Sequence, residues 1–321
     1  MKSRIKTTSI DYVFVGGTGR SGTTIIADLL NNHPDIRSSL PIELKFTTNS
    51  GGVLDLTFGS QFAPVKESAS IPFYSLRTRR ERKLREKERD CQNLKAFEAK
   101  INSTWWDIDA PPPHGRGLVS GISHEVFSHA FNEFKTSFIR NRVKATRRFL
   151  DALIHNQSNN FGEKLWVETT PMNIPNAHRL IQLYPTALFI NMVRDPRDTI
   201  ASLLTKDWGP TTPLEGIEWF EKRIRSGHLS LSKVPKDQQL TISIEELVAQ
   251  NTAATYHSLL SFLRIEDSNQ MADFLREQMK PSAARIGRWR DEITDSEFVP
   301  AYEAMIKRLH DDNVAFYSSS N

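Results

Sequence analysis

The chain has 321 residues, 38% hydrophobic and 25% charged, a balance suited to a soluble globular protein with a substantial core. Its formal net charge of +4 and pI near 9.1 suit an anionic small ligand and fall far short of a nucleic-acid binder's surplus. A single cysteine, Cys91, excludes an internal disulfide and a zinc cluster, and with no run of about 20 apolar residues and no secretory leader the expected location is the cytoplasm.

Tyr12–Val15 is an unbroken apolar run ending in Gly16-Gly17, the pattern of a buried parallel strand. Residues 22–32 follow as a helix with Ile25, Ile26, Leu29 and Leu30 on one face, stopped at Asn32-His33-Pro34. A glycine-rich turn between strand and helix is the context a phosphate-cradling loop requires. Residues 46–64, rich in Gly, Ser and Thr, read as loop. Residues 77–90, RTRRERKLREKERD, read as a solvated helix or, alternatively, as a basic patch for a substrate. Residues 103–121, with Trp105-Trp106 and a triple proline, are irregular, and 122–155 are helical.

A second α/β stretch then begins: a strand at 165–167, a helix at 174–184 and a buried strand at 187–193. Asp195 is the N-cap of the next helix, with Pro196 at its first position and Asp198 in its first turn. Residues 239–244 alternate as a strand, 245–263 form an amphipathic helix, 285–290 a loop and 296–310 a last helix. The expected fold is α/β: a P-loop-like parallel sheet flanked by helices, with right-handed crossovers. It forms one domain over 1–321, carrying a mostly helical, specificity-setting insertion at about 46–160. Ligands in such folds bind at the carboxyl ends of the strands, here at Gly16–Thr24 and Arg194.

VGGTGRSGTT, residues 15–24, fits the Walker A frame at Gly17 and Gly22, but Thr23 stands where the lysine belongs. A cradle without that lysine suits a terminal sulfonate, which carries one charge rather than two. The amides of Thr18, Gly19, Arg20, Ser21, Gly22, Thr23 and Thr24, at a helix N-terminus, can hold a 5′-phosphosulfate without a metal. Arg20 then supplies a fixed cation for the charge developing on the leaving oxygen. The bland alternative is a glycine-rich turn with no ligand.

GTGRSGTT followed by HPDI resembles the 5′-phosphosulfate-binding segment of sulfotransferases that use 3′-phosphoadenosine-5′-phosphosulfate (PAPS), the tyrosylprotein and bacterial groups in particular. NMVRDPRDTIASLL, residues 191–204, resembles that family's 3′-phosphate motif, with Arg194 at a strand end and Ser202 eight residues later. A forked cation and a hydroxyl so placed converge on one phosphate. VETTPMN at 167–173, SIEELVAQ at 243–250 and ARIGRWR at 284–290 resemble three further family segments. In the last, Arg285 and Gly287 either add contacts to the 3′-phosphate or belong to a packing loop anchored by Trp289. Arg197 and Asp198 read as solvated or capping residues.

LPIELKF, residues 40–46, resembles the segment that carries the family's general base, which by spacing is Glu43; the other reading is a surface carboxylate paired with Lys45. Two departures stand out. Thr169 replaces the lysine of the E-K-T-P segment, so that either Arg20 carries its role alone, or Lys45 substitutes for it, or activity is low. Pro41 stands where the tyrosylprotein branch would have its base, which argues against a peptide tyrosine acceptor. His114, His124, His129 and His155 show no metal-ligand spacing, and Trp105-Trp106 either wall an acceptor pocket or pack in a core.

The resemblance implies transfer of a sulfonate from PAPS to an acceptor hydroxyl, or less readily an amine, leaving adenosine 3′,5′-bisphosphate without a metal. The acceptor is then a small molecule, glycan or lipid, and no nucleic acid or integral membrane segment is involved. Competing readings are a P-loop kinase or NTPase, which needs the missing lysine, and a non-catalytic nucleotide-binding protein on the same fold.

Overall fold

The computed structural model describes residues 11–38, 43–59, 76–106, 121–156 and 164–318. The chain divides into two compact units, one formed by residues 1–40 and 160–321, the other by 41–159.

The first unit is built on five parallel strands: β1 Asp11–Gly17, β2 Ile36–Ser38, β3 Leu165–Glu168, β4 Leu188–Val193 and β5 Gln239–Ser243, in the spatial order β2-β3-β1-β4-β5. Central β1 pairs Val13 with Val167 of β3 and Val15 with Ile190 of β4. It is buried from Tyr12 to Gly17, as a strand covered on both faces must be. On one face Val13 and Val15 pack with Ile26, Leu29 and Leu30 of the Thr23–Asn31 helix and with Leu259 and Leu263 of the Thr252–Leu263 helix. On the other, Phe14 stacks on Phe189 with ring centroids 5.7 Å apart and meets Tyr184 at 5.9 Å. A third cluster joins the Pro196–Leu204, Pro213–Leu231 and Phe298–Asp311 helices through Ile200, Phe220, Phe298 and Met305.

Chain order from β1 runs to β2 on one side, whereas β3 crosses back over β1 to reach β4. The switch point therefore lies between β1 and β4, and the segments leaving their carboxyl ends, 18–22 and 194–195, flank it.

Several elements differ from expectation. The Pro213–Leu231 and Asn269–Gln278 helices and β2 were not anticipated. The first opens with a capping box, in which the Thr212 side chain accepts the Glu215 N–H and Glu215 returns the bond, with Pro213 at the first position. Ser268 caps the second by accepting the Met271 N–H. Residues 122–155 form two helices, His124–Phe138 and Arg142–His155, because Asn141 is extended and its side chain caps the second at the Lys144 N–H. The helix expected over 245–263 is broken at Asn251.

The described elements of the second unit are all helical: Lys45–Thr48, Val53–Phe58, Leu76–Lys100 with a wide turn to Trp105, His124–Phe138 and Arg142–His155. Two of these, Lys45–Thr48 and Val53–Phe58, fall in the stretch expected to be loop. Phe97, Phe127, Phe131, Phe134 and Phe149 form an aromatic core, with Phe134 and Phe149 stacked at 4.8 Å. The charge run lies on the Leu76–Lys100 helix, where the described side chains between 80 and 89 are exposed and Asp90 is buried against the Arg142 guanidinium at 2.7 and 2.8 Å. Trp105 is buried beneath the Lys100 ammonium, and Trp106 packs on Phe127 and His124, so both tryptophans serve packing within this unit.

Candidate active site

The loop after β1 folds back on itself because two of its glycines have no Cβ. One added at Gly17 would lie 2.3 Å from the Met192 carbonyl oxygen and 2.7 Å from Ser21 Oγ. At Gly22, the N-cap of the Thr23–Asn31 helix, φ is 96° and the nearest side chain is Ile244. Arg20 is also left-handed, at φ 57°. Left-handed residues interspersed through a turn at a helix start aim successive amides into one concavity, where the helix's own first-turn N–H groups have no intrahelical acceptor. Thr18, Ser21 and Thr23 are buried and Thr24 is exposed. The Thr18 hydroxyl donates to the Gly19 carbonyl at 3.2 Å. Ser21 Oγ is fully buried with no partner among the described residues, an unused polar group inside the cradle.

The β4 segment meets this loop. Arg20 Nε donates to Ser202 Oγ at 3.0 Å, and Arg194 Nη1 donates to the Arg20 carbonyl at 3.3 Å. Arg194 is only 9% exposed. Its Nη2 donates to the carbonyls of Ala284 (2.7 Å) and Arg285 (3.1 Å), Asp198 lies 3.9 Å away, and Nε has no partner among the described residues. Asp195 caps its helix through the Arg197 N–H, as expected, while its own N–H donates to buried Glu245. Burial raises the Glu245 pKa, outweighing the hydrogen bonds from the Asp195 N–H and the Ser243 hydroxyl, which lower it.

Positive charge accumulates here. Burial lowers the Arg194 pKa; Asp198 and Glu245 oppose this, and Arg288 and Arg20 lower it further. Burial and then Arg288 lower Arg20 in the same way. Arg20, Arg194 and Arg288 repel one another, Arg20 donates to the Ser202 hydroxyl and Arg194 Nε is unpartnered among the described residues, a set of donors that fits a phosphate-bearing anion. Arg288 is the member that sequence reasoning missed. It pairs with Glu292, as does Arg285, and no sequence pattern separates it from Arg285 and Arg290.

Two expectations are corrected. Arg197 is not solvated: it forms a two-pronged pair with Asp195 and stacks between Trp289 (4.7 Å) and Tyr302 (5.1 Å). Asp198 is buried, and its carboxylate accepts the N–H of Gly287 at 2.7 Å and of Trp289 at 3.2 Å, so it fastens the 285–290 segment whose chain supplies carbonyls to Arg194. Arg285 thus meets the site through its carbonyl while its side chain reaches Glu292, and the Gly287 amide is held by Asp198. Glu43 lies in the second unit, 3.5 Å from Lys45 Nζ. Thr169 is buried just beyond β3, next to Glu168, whose carboxylate is taken up by Thr170 and Asn173. Among the described residues there is no group of three or more His, Cys, Asp or Glu placed to hold a metal ion, and no helix long and apolar enough to cross a membrane.

Residues 12–269 match the model of the sulfotransferase family. Among solved structures, the chain is similar to the sulfotransferase domain from the curacin biosynthetic pathway, with a TM-score of 0.53 and 14% identity over 97% of this chain and 99% of that one. It is also similar to a sulfotransferase from Mycobacterium avium (TM-score 0.47, 14% identity, 97% and 79% covered) and to one from Alicyclobacillus acidocaldarius (0.42, 17%, 94% and 96%). None of the curated proteins matches the sequence.

Proposed function

The chain belongs to the sulfotransferase family, and from that premise we propose that it transfers a sulfonate from PAPS to an acceptor hydroxyl by in-line displacement. The acceptor oxygen bonds to sulfur as the bond from sulfur to the phosphate oxygen breaks. The acceptor's proton passes to Glu43, and the electron pair leaves on adenosine 3′,5′-bisphosphate. The observation that carries this reading is the convergence of Arg20, Ser202 and Arg194, two contacts of 3.0 and 3.3 Å joining the β1 loop to the β4 segment.

In this proposal the amides of 18–24 and the Ser21 hydroxyl hold the phosphosulfate, and Arg20 stabilises charge on the leaving oxygen. Arg194 and Ser202 take the 3′-phosphate, Arg194 exchanging main-chain carbonyls for a charged partner. Asp198 keeps the 285–290 segment, with Arg285 and Gly287, against them. Positioning and charge stabilisation supply most of the rate, with the base contributing about 10²–10⁴-fold. The unit 41–159 is proposed to choose the acceptor, a small molecule, glycan or lipid.

Radiolabelled PAPS incubated with a panel of phenols, sugars, lipids and amines tests the activity. We expect label transfer to a hydroxyl acceptor, cut about 10²–10⁴-fold by Glu43→Gln with binding of the bisphosphate unchanged. Full turnover in Glu43→Gln would remove Glu43 as the base, and absence of transfer with retained bisphosphate binding would favour a non-catalytic binding protein.

A further inference from the structure

The Pro213–Leu231 helix brings to the glycine-rich loop a cation with no counter-charge among the described residues. Arg223 is half-buried; its guanidinium donates to the Met172 thioether and stacks over the Trp219 ring, 5.0 Å from the centroid. Neither partner is an anion: a thioether is a weak acceptor, and an indole face offers only its quadrupole. Arg225, two residues along, shows the contrast, pairing with Glu221 and Asp312 at 2.8 and 2.7 Å. Burial pushes the Arg223 pKa down to about 10, which leaves it charged at neutral pH. A partly desolvated charge without a partner is a standing cost that an incoming anion removes.

The surroundings say where that anion belongs. Arg223 lines a cavity of about 170 Å³ together with Gly17 and Thr18, the first residues of the loop. His228, Lys236, Asn191 and Thr241 also line it, and its described lining holds no Asp or Glu. Trp219, on which Arg223 stacks, lies with its ring edge 3.7 Å from where a Cβ on Gly19 would stand, so the ring covers bare loop backbone. Met172 follows Thr169 by three residues, and Thr169 brings no charge to the end of β3.

We infer that Arg223 is a second cation for the donor's phosphosulfate, reaching its oxygens from the helix side of the loop while Arg20 holds them from within it. This rests on the proposed reading of the loop as the donor's 5′ site. As the sulfur–oxygen bond breaks, negative charge collects on the oxygen left with phosphorus. Arg223 offers it two further N–H donors in a setting of lowered dielectric, where such donors are strongest.

The test is calorimetric titration of the full chain with PAPS and with adenosine 3′,5′-bisphosphate, using wild type, Arg223→Met and Arg223→Lys. Methionine keeps a long apolar stem against Trp219 and removes the charge. Expected are a loss of PAPS affinity of at least about tenfold in Arg223→Met, the size of one charge-assisted contact, and recovery of most of it in Arg223→Lys. A wild-type measurement stands beside this in case Arg223→Met does not fold: an arginine-selective dicarbonyl should label Arg223 less when PAPS is present, as read by peptide mass. PAPS affinity in Arg223→Met within twofold of wild type, or equal labelling of Arg223 with and without PAPS, overturns the inference and leaves the donor reading intact. Wild-type protein that binds neither nucleotide refutes the donor reading and this inference together.

Discussion

The Ser230 hydroxyl oxygen accepts the His178 backbone N–H at 3.0 Å and lies 2.9 Å from His178 Nδ1. Burial, then Lys233, then Arg179 hold the His178 pKa down to about 4. In the unfolded chain the ring takes a proton below about 6.5, whereas the native ring resists until about 4. Over that window the unfolded state binds more protons, so stability rises with pH and is lost as pH falls. The melting temperature of wild type should therefore drop between pH 6.5 and 4 more steeply than that of His178→Asn, which has nothing to titrate there; parallel profiles would show that His178 is charged in the fold. The same scale shows the limits of residue patterns. Glu43, Arg20, Arg194 and Ser202 stand out by motif spacing alone, whereas Arg223 and Arg288 are two among many arginines. Their distinction, a carboxylate partner lacking among the described residues for one and proximity to Arg20 and Arg194 for the other, exists only after folding.

Elements were read best where one local rule decided them. β1 and the Thr23–Asn31 helix follow from an apolar run, a glycine turn and a 3.6-residue stripe, and Asp195-Pro196 marks its helix start outright. The Pro213–Leu231 helix went unanticipated although Thr212-Pro213-Leu214-Glu215 spells a capping box, because its mixed stripe hid behind Gly216 and Gly227. Gly216 is there for packing, since a Cβ would press to 2.6 Å from an Ile200 methyl. β2 has three residues and takes its register from β3, so no local signal could announce it. The joint between β1 and the first helix is the element on which the proposed nucleotide binding depends. Gly22→Ala forces an alanine to φ 96° and sets its Cβ 3.0 Å from Ile244 Cδ1. We expect a stability loss of about 1–3 kcal/mol by denaturant titration, together with weaker binding of the bisphosphate. An unchanged midpoint would mean that the loop adopts another path.

At the scale of the molecule, the sheet order sets up the site: the reversal at β1 leaves the 18–22 loop and the 194–195 segment side by side, and helices on both faces fix their starting points. The helical unit 41–159 has its own aromatic core and carries Glu43, whereas the 18–22 loop and Arg194 belong to the sheet unit. The central claim is that one nucleotide is held at both ends, its 5′ group by the β1 loop and its 3′-phosphate by Arg194 and Ser202. The most direct measurement is calorimetric titration of wild type and Arg194→Ala with adenosine 3′,5′-bisphosphate and with adenosine 5′-phosphate, which lacks the 3′ group. The account predicts that wild type prefers the bisphosphate by at least about tenfold, as one charge-assisted contact supplies, and that Arg194→Ala loses most of this preference while still binding adenosine 5′-phosphate. Equal affinity of wild type for the two ligands, or a full preference retained in Arg194→Ala, would contradict it.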